Sequence, residues 1–137
     1  MSGRVFLDTN VLVYADDADA GAKREVARRI IEDMLTSRRG VLSTQVLQEY
    51  FVVASRKLGL DAAHVQLTLE LHARQEVVVV GVPLIVQAVE LHRLHRLSFW
   101  DALIIRAAAS AGCEMLFTED LNHGATIAGV RVHNPFR

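Results

Sequence analysis

Short apolar runs alternate with stretches of helical periodicity along almost the whole chain, and this alternation limits the possible folds more than any other feature. Arg4 to Leu7 is a strand-like run that closes on Asp8. After a small acidic loop at Asp16 to Gly21, Val26, Ile30, Ile31, Met34 and Leu35 recur at helical spacing between Ala22 and Arg39. Gly40 is expected to end that helix, and Val41 and Leu42 to form a second short strand. From Thr44, a stripe of Val46, Leu47, Tyr50, Phe51, Ala54 and Leu58 predicts another helix, closed by Gly59, and Asp61 reads as the N-cap of a helix reaching about Ala73. The β-branched run Glu76 to Val80, bounded by Gly81, predicts a buried strand. Pro83 suits the first turn of a helix running to about Arg96. Ser98 starts a further helix that Gly112 ends, and Met115 to Phe117 is a strand closing on Thr118, Glu119 and Asp120. Weaker strand signals remain at Thr126 to Ile127 and Arg131 to His133. Strands separated by helices imply an α/β fold with a mainly parallel central sheet covered on both faces. Such sheets bind ligands beyond the carboxyl ends of their strands.

The 137 residues suit one domain spanning 1–137, with no repeat, linker or low-complexity segment to divide it. An apolar content of 51% is enough for a core and an apolar interface besides, and it excludes disorder driven by charge. A formal charge of −1 argues against a generally basic nucleic-acid coat. The single cysteine, Cys113, excludes an internal disulfide framework and a cysteine-based zinc cluster. Met1 to Asp8 does not read as a signal peptide, and the longest apolar run, Val77 to Val86, contains Pro83 and falls short of the roughly 20 residues of a membrane-spanning helix. The expectation is a soluble, cytoplasmic protein without a membrane partner.

The sixteen carboxylates sort by what lies three and four residues away on a helix. Glu25 and Glu32 have Arg28 and Arg29, Asp33 has Arg29, Glu70 has Arg74 and Glu90 has Arg93, which predicts solvated, ion-paired helix faces. Glu49 differs, because Gln45, Val46, Val52 and Val53 occupy its positions and none is a cation. Asp101 likewise has Leu97, Ser98, Ile104 and Ile105. A carboxylate in apolar surroundings is costly unless a metal ion or another positive group compensates it. Asp8 and Asp120 stand at the ends of apolar strands, where a parallel sheet presents its ligands, so four acids from distant parts of the chain can converge at one sheet edge.

Each acid also has an ordinary reading. Asp8, followed by Thr9 and Asn10, can cap the next helix; Ser98-Phe99-Trp100-Asp101 fits a capping box; and Asp120 can be a turn residue before Asn122 and Gly124. Glu49 has no such role. An oxygen-rich cluster of this kind suits Mg²⁺, with Mn²⁺ as a substitute. Nothing favours zinc, since His92 and His95 share their face with Arg93 and Arg96, and His64, His72, His123 and His133 are scattered. Asp17-Ala18-Asp19 mimics the start of a calcium loop, but Arg28 stands where its bidentate Glu belongs.

The segments Val5-Phe6-Leu7-Asp8-Thr9-Asn10-Val11-Leu12, Gln48-Glu49-Tyr50, Ser98-Phe99-Trp100-Asp101-Ala102-Leu103-Ile104 and Phe117-Thr118-Glu119-Asp120-Leu121-Asn122-His123-Gly124 together resemble the PIN-domain family, and within it the VapC-type toxin ribonucleases of toxin–antitoxin pairs. The match spans nearly the whole chain in order and spacing. The resemblance implies a three-layer α/β/α sandwich, a metal-dependent endoribonuclease acting on RNA, a homodimer, and a small antitoxin as protein partner. It carries the family's acidic positions over to Asp8, Glu49, Asp101 and Asp120, with Asp8, Asp101 and Asp120 as metal ligands and Thr9, Asn10 and Thr118 in support. Glu119 adjoins Asp120, and the register of the motif favours Asp120. On this reading part of the apolar content covers a second copy and an antitoxin.

Thirteen of the fifteen basic residues are Arg, and Ala22 to Arg39 holds six basic against three acidic residues, making Arg28 and Arg29 the best candidate stripe for an RNA backbone. An amphipathic helix with a wet outer face explains the stripe equally well. Two rival functions remain at this point. One is an aspartate-nucleophile phosphatase, against which Asn10 stands where a second carboxylate is normally needed. The other is a non-catalytic module that binds RNA or a peptide, against which the acid set is intact.

Overall fold

The structure is a computed structural model describing residues 3–137, so residues 1 and 2 of the expected domain and of the non-secretory start lie outside the described residues. The elements run β1 (Val5–Leu7), α1 (Thr9–Asp16), α2 (Ala22–Ser37), β2 (Gly40–Ser43), α3 (Thr44–Arg56), α4 (Ala62–His72), β3 (Glu76–Val78), α5 (Val82–His95), α6 (Phe99–Ser110), β4 (Met115–Phe117), β5 (Thr126–Ile127) and β6 (Val130–His133). One six-stranded sheet has the order β3-β2-β1-β4-β6-β5. Every neighbouring pair is parallel except β5–β6. That hairpin turns at Ala128 and Gly129, both at positive φ, as the strand twist favours for a two-residue turn.

The chain order fixes where a site can form. From β1 the chain moves outward through β2 to β3, then returns to place β4 on the opposite side of β1. The crossovers therefore diverge at the boundary between β1 and β4, which opens a crevice at the carboxyl ends of those strands. Because crossovers keep one hand, those running in opposite directions lie on opposite faces of the sheet. Accordingly α1 packs on α2 and α3, α3 on α4, and α5 separately on α6. The expected mainly parallel sheet with helices on both faces is present. No helix among the described residues is long and apolar enough to cross a membrane.

Strands β1 and β2 are buried along their whole length. Phe6, Leu7, Leu42 and Leu116 are fully inaccessible, and each such side chain contributes about 1.5–3 kcal/mol by leaving water. Helix α6 buries Ala102, Leu103, Ile104, Ile105, Ala107 and Ala108, its small residues letting it lie close to the sheet. Helix α5 is nearly as apolar but buries only Ala88 and Leu91, leaving Val82, Val86, Val89 and Leu94 exposed.

Glu76 to Val80 is not a buried strand: β3 ends at Val78, forms the sheet edge, and leaves Val79 76% exposed. A β-branched run suits an edge as well as a centre, so composition alone did not locate it. Helix α2 ends through Arg38 in the left-handed conformation, not through Gly40. Gly40 instead opens β2, where an added Cβ would lie 2.9 Å from Met34 Cβ and closer still to the Gln75 side chain. The helix-face pairs of Glu25, Glu32, Glu70 and Glu90 do not form; the ion pairs among the described residues are Arg4–Glu76, Lys23–Glu119 and Arg39–Asp33, so Asp33 pairs with Arg39 and not with Arg29. Exposed ion pairs gain little and order two long side chains, so solvation wins.

Candidate active site

Strands β1 and β4 deliver the first residues of the site. Leu7 registers with Phe117, so Asp8 and Thr118 leave adjacent strand ends side by side, tied by Asp8 N donating to Phe117 O at 3.0 Å. Asp8 does cap α1: its Oδ1 accepts from Thr9 N at 2.7 Å. Its Oδ2 accepts from the Thr118 hydroxyl at 2.8 Å. That hydroxyl in turn accepts from Asp120 N at 3.1 Å and Asn10 Nδ2 at 3.2 Å. Asn10 Nδ2 also donates to Asp120 Oδ2 at 3.1 Å. One buried hydroxyl thus links both strand-end acids.

Glu49 enters from α3. Its Oε1 accepts from the Thr9 hydroxyl at 2.7 Å, and Gln45 Nε2 lies 3.5 Å from its Oε2. Gln45 Nε2 also donates to Trp100 O at 3.3 Å, which ties α3 to the start of α6. Asp101 sits half-buried in the first turn of α6. Only half of its expected capping box is recorded, with Asp101 N donating to Ser98 Oγ at 3.1 Å. The structure therefore joins Asp8, Glu49 and Asp120 through Thr9, Asn10 and Thr118, and holds Asp101 outside that hydrogen-bonded set, within electrostatic reach of Asp120.

The electrostatics follow from burial. Asp8 is 6% exposed, and burial pushes its carboxyl up to about 7, against the opposing hydrogen bonds from Thr118 and the Thr9 amide; the charges of Asp120 and Glu49 push it the same way. Burial also raises Asp101 above the usual carboxylate range, against its Ser98 hydrogen bond and with Asp120 adding to the rise. No Lys or Arg pairs with Asp8, Glu49, Asp101 or Asp120 among the described residues.

The neighbouring acids Glu119 and Asp120 face different partners. Glu119 accepts from the Tyr14 hydroxyl and pairs with Lys23 Nζ at 3.0 Å, while Lys23 lies 5.0 Å from the Tyr14 ring centroid. Asp120 turns to Asn10. Tyr14, Lys23 and Gln45 are contributors that the sequence reading did not single out. Only Gln45 carried a signal, four residues before Glu49.

A cavity of about 680 Å³ opens beside this cluster, and its lining includes the polar Thr9, Asn10, Glu49 and Asp120 and the apolar Val13, Val52 and Trp100. The donors in and around it are oxygens, the set that hard divalent cations take. Asn10 Oδ1 and Gln45 Oε1 are buried without a hydrogen-bond donor, acceptors that a cation or its water would satisfy. No three His, Cys, Asp or Glu side chains among the described residues gather closely enough to enclose an ion. The residues therefore fit an ion such as Mg²⁺ that keeps much of its water and takes only a few carboxylates.

The PIN-domain family model matches residues 5–126. The chain belongs to the PIN-domain family. No curated protein sequence matches it. Among solved structures this PIN domain resembles VapC20 of Mycobacterium tuberculosis, described as a Sarcin-Ricin loop cleaving toxin, at 25% identity and a TM-score of 0.68 over 85% of this chain and 91% of that one. A toxin–antitoxin complex from Klebsiella pneumoniae matches at 22% identity and a TM-score of 0.71, covering 96% of this chain and 98% of that one. DNA-bound VapBC from Salmonella typhimurium matches at 21% identity and a TM-score of 0.69, with 96% and 98% covered. The last two likenesses concern the fold.

Proposed function

We propose that this PIN domain, acting as one unit over 1–137, is a Mg²⁺-dependent endoribonuclease and the toxin of a VapBC-type pair. The observation that carries the reading is the convergence of Asp8, Glu49 and Asp120 on one hydrogen-bonded network at the crevice between β1 and β4. The RNA-cleaving toxin among the similar structures supports the substrate class, and the toxin–antitoxin complexes support a small antitoxin as partner. Homodimer formation through exposed apolar surface and action in the cytoplasm belong to the same reading.

Asp8, Asp101 and Asp120 would hold the cation, Mg²⁺ with Mn²⁺ as substitute, in part through its retained waters, because the acids do not close directly around one point. When bound, the ion acidifies a water and offsets charge on the scissile phosphate. The protein supplies position. Thr118 fixes Asp8 and, through Asn10, Asp120; Thr9 fixes Glu49, which orients the attacking water. In-line attack of that water on the phosphorus, breaking the bond to the 3′ oxygen, would leave a 5′-phosphate and a 3′-hydroxyl. Phosphatase chemistry through Asp8 gains no support, because Asn10, where a second carboxylate is needed, is an amide that clamps Thr118 and Asp120.

The test is to incubate purified protein with total cellular RNA, with Mg²⁺ or with chelator, and to map new 5′ ends. A discrete set of ends that requires Mg²⁺ and vanishes in Asp8→Asn is expected. RNA retention without cleavage would favour a binding module, and an Asp8→Ala or Asp101→Ala variant cutting as well as wild type would refute the mechanism.

A further inference from the structure

Trp100 is the only tryptophan in the chain, and it is 60% exposed although it directly precedes Asp101. Three features make it a fixed wall of the catalytic cavity and not a stray surface residue. Its ring packs edge-on against Phe99 with centroids 5.0 Å apart at 75°. Its backbone carbonyl is held by Gln45, the residue that also reaches Glu49, so the main chain that carries the indole is tied to the acid network. It lines the same cavity as Glu49 and Asp120, together with Val13 and Val52. Gln45 is only 6% exposed, lines the same cavity, and carries the donor-less Oε1 described above.

We infer that Trp100 is a nucleobase-stacking platform: it receives an unpaired base next to the scissile phosphate. The inference rests on the ribonuclease reading and adds a substrate-binding residue to it. The chemistry favours a base at this wall. A base has an uncharged face that stacks on indole, a contact that does not need a cation in the acid cluster. Lys57 also lines the cavity and brings a positive charge to it. Stacking requires a splayed, single-stranded segment, as recognition of RNA sequence generally does.

Because Trp100 is the sole tryptophan, its fluorescence reports the contact directly. In chelator, where no cleavage occurs, the wild-type protein is titrated with a mixed-sequence single-stranded RNA oligonucleotide and with an abasic oligonucleotide of equal length and charge. The base-bearing strand is expected to quench the emission and the abasic strand to leave it unchanged. Measured with an end-labelled strand, Trp100→Ala is expected to weaken binding about tenfold and Trp100→Phe to restore most of it. Equal quenching by both strands, or no quenching up to millimolar strand, overturns the inference. So does unchanged affinity in Trp100→Ala, an outcome that would assign the indole to a protein partner. Failure of the ribonuclease reading shows elsewhere, as cleavage that survives Asp8→Asn.

Discussion

Asp8 and Asp120 both follow the end of a strand, and the two strands are neighbours, yet the acids occupy opposite environments. The chain enters α1 immediately after Asp8, and the helix, Thr118 and the β1–β4 boundary bury it; Asp120 lies two residues further from its strand end and is exposed. A strand end therefore determines where an acid arrives, and the next element determines how much water it keeps. Asp8 becomes the fixed, poorly solvated member of the pair. Asp120 remains wet and is steered by one amide group from Asn10.

If that contrast is right, substitutions at the two acids are unequal. Asp8→Asn should lower the rate of RNA cleavage about 10²–10³-fold, measured as initial rates at saturating Mg²⁺. The same substitution should stabilise the cation-free protein. A folded-state pKa of about 7 lies above that of an unfolded carboxyl, so the folded state holds the Asp8 proton more tightly. Stability from this group is therefore full below about pH 4 and is lost as pH rises through 7. In chelator at pH 8, thermal melts of Asp8→Asn should show a gain on the order of a few kcal/mol over wild type, shrinking to nothing near pH 4.

Thr118→Val removes the hydroxyl shared by both acids and should cost about 1–3 kcal/mol of stability, because Asp8 loses a buried donor. Asp120→Asn should slow cleavage about tenfold, less than Asp8→Asn. Glu119→Gln keeps an acceptor for Tyr14 and loses only the partly exposed pairing with Lys23, so it should change stability by less than about 1 kcal/mol. Equal defects at Asp8 and Asp120 would erase the distinction drawn between them.

What the sequence made legible tracks the range of the underlying interactions. Glu49 was conspicuous because its helical neighbours lacked a cation, and the structure gives it Thr9 and Gln45 instead. The alternation of runs specified a mainly parallel sheet, since helices between strands leave few other pairings. Helix α1 was legible only as something for Asp8 to cap: at 8 residues it is too short for a clear stripe, and Val11, Leu12 and Val13 are all buried. The edge position of β3 depends on strand order, which no local run encodes. The contact of Tyr14 and Lys23 with Glu119 joins residues about a hundred positions apart, and nothing in their spacing announces it.

The central claim, that these acids form a cation site, is tested most directly by Mn²⁺ binding measured by electron paramagnetic resonance at pH 8 on wild type, Asp8→Asn and Glu119→Gln. The account predicts saturable binding to wild type, binding at least about tenfold weaker in Asp8→Asn, and little change in Glu119→Gln. Equal binding by all three proteins, or none by wild type at millimolar Mn²⁺, would contradict it.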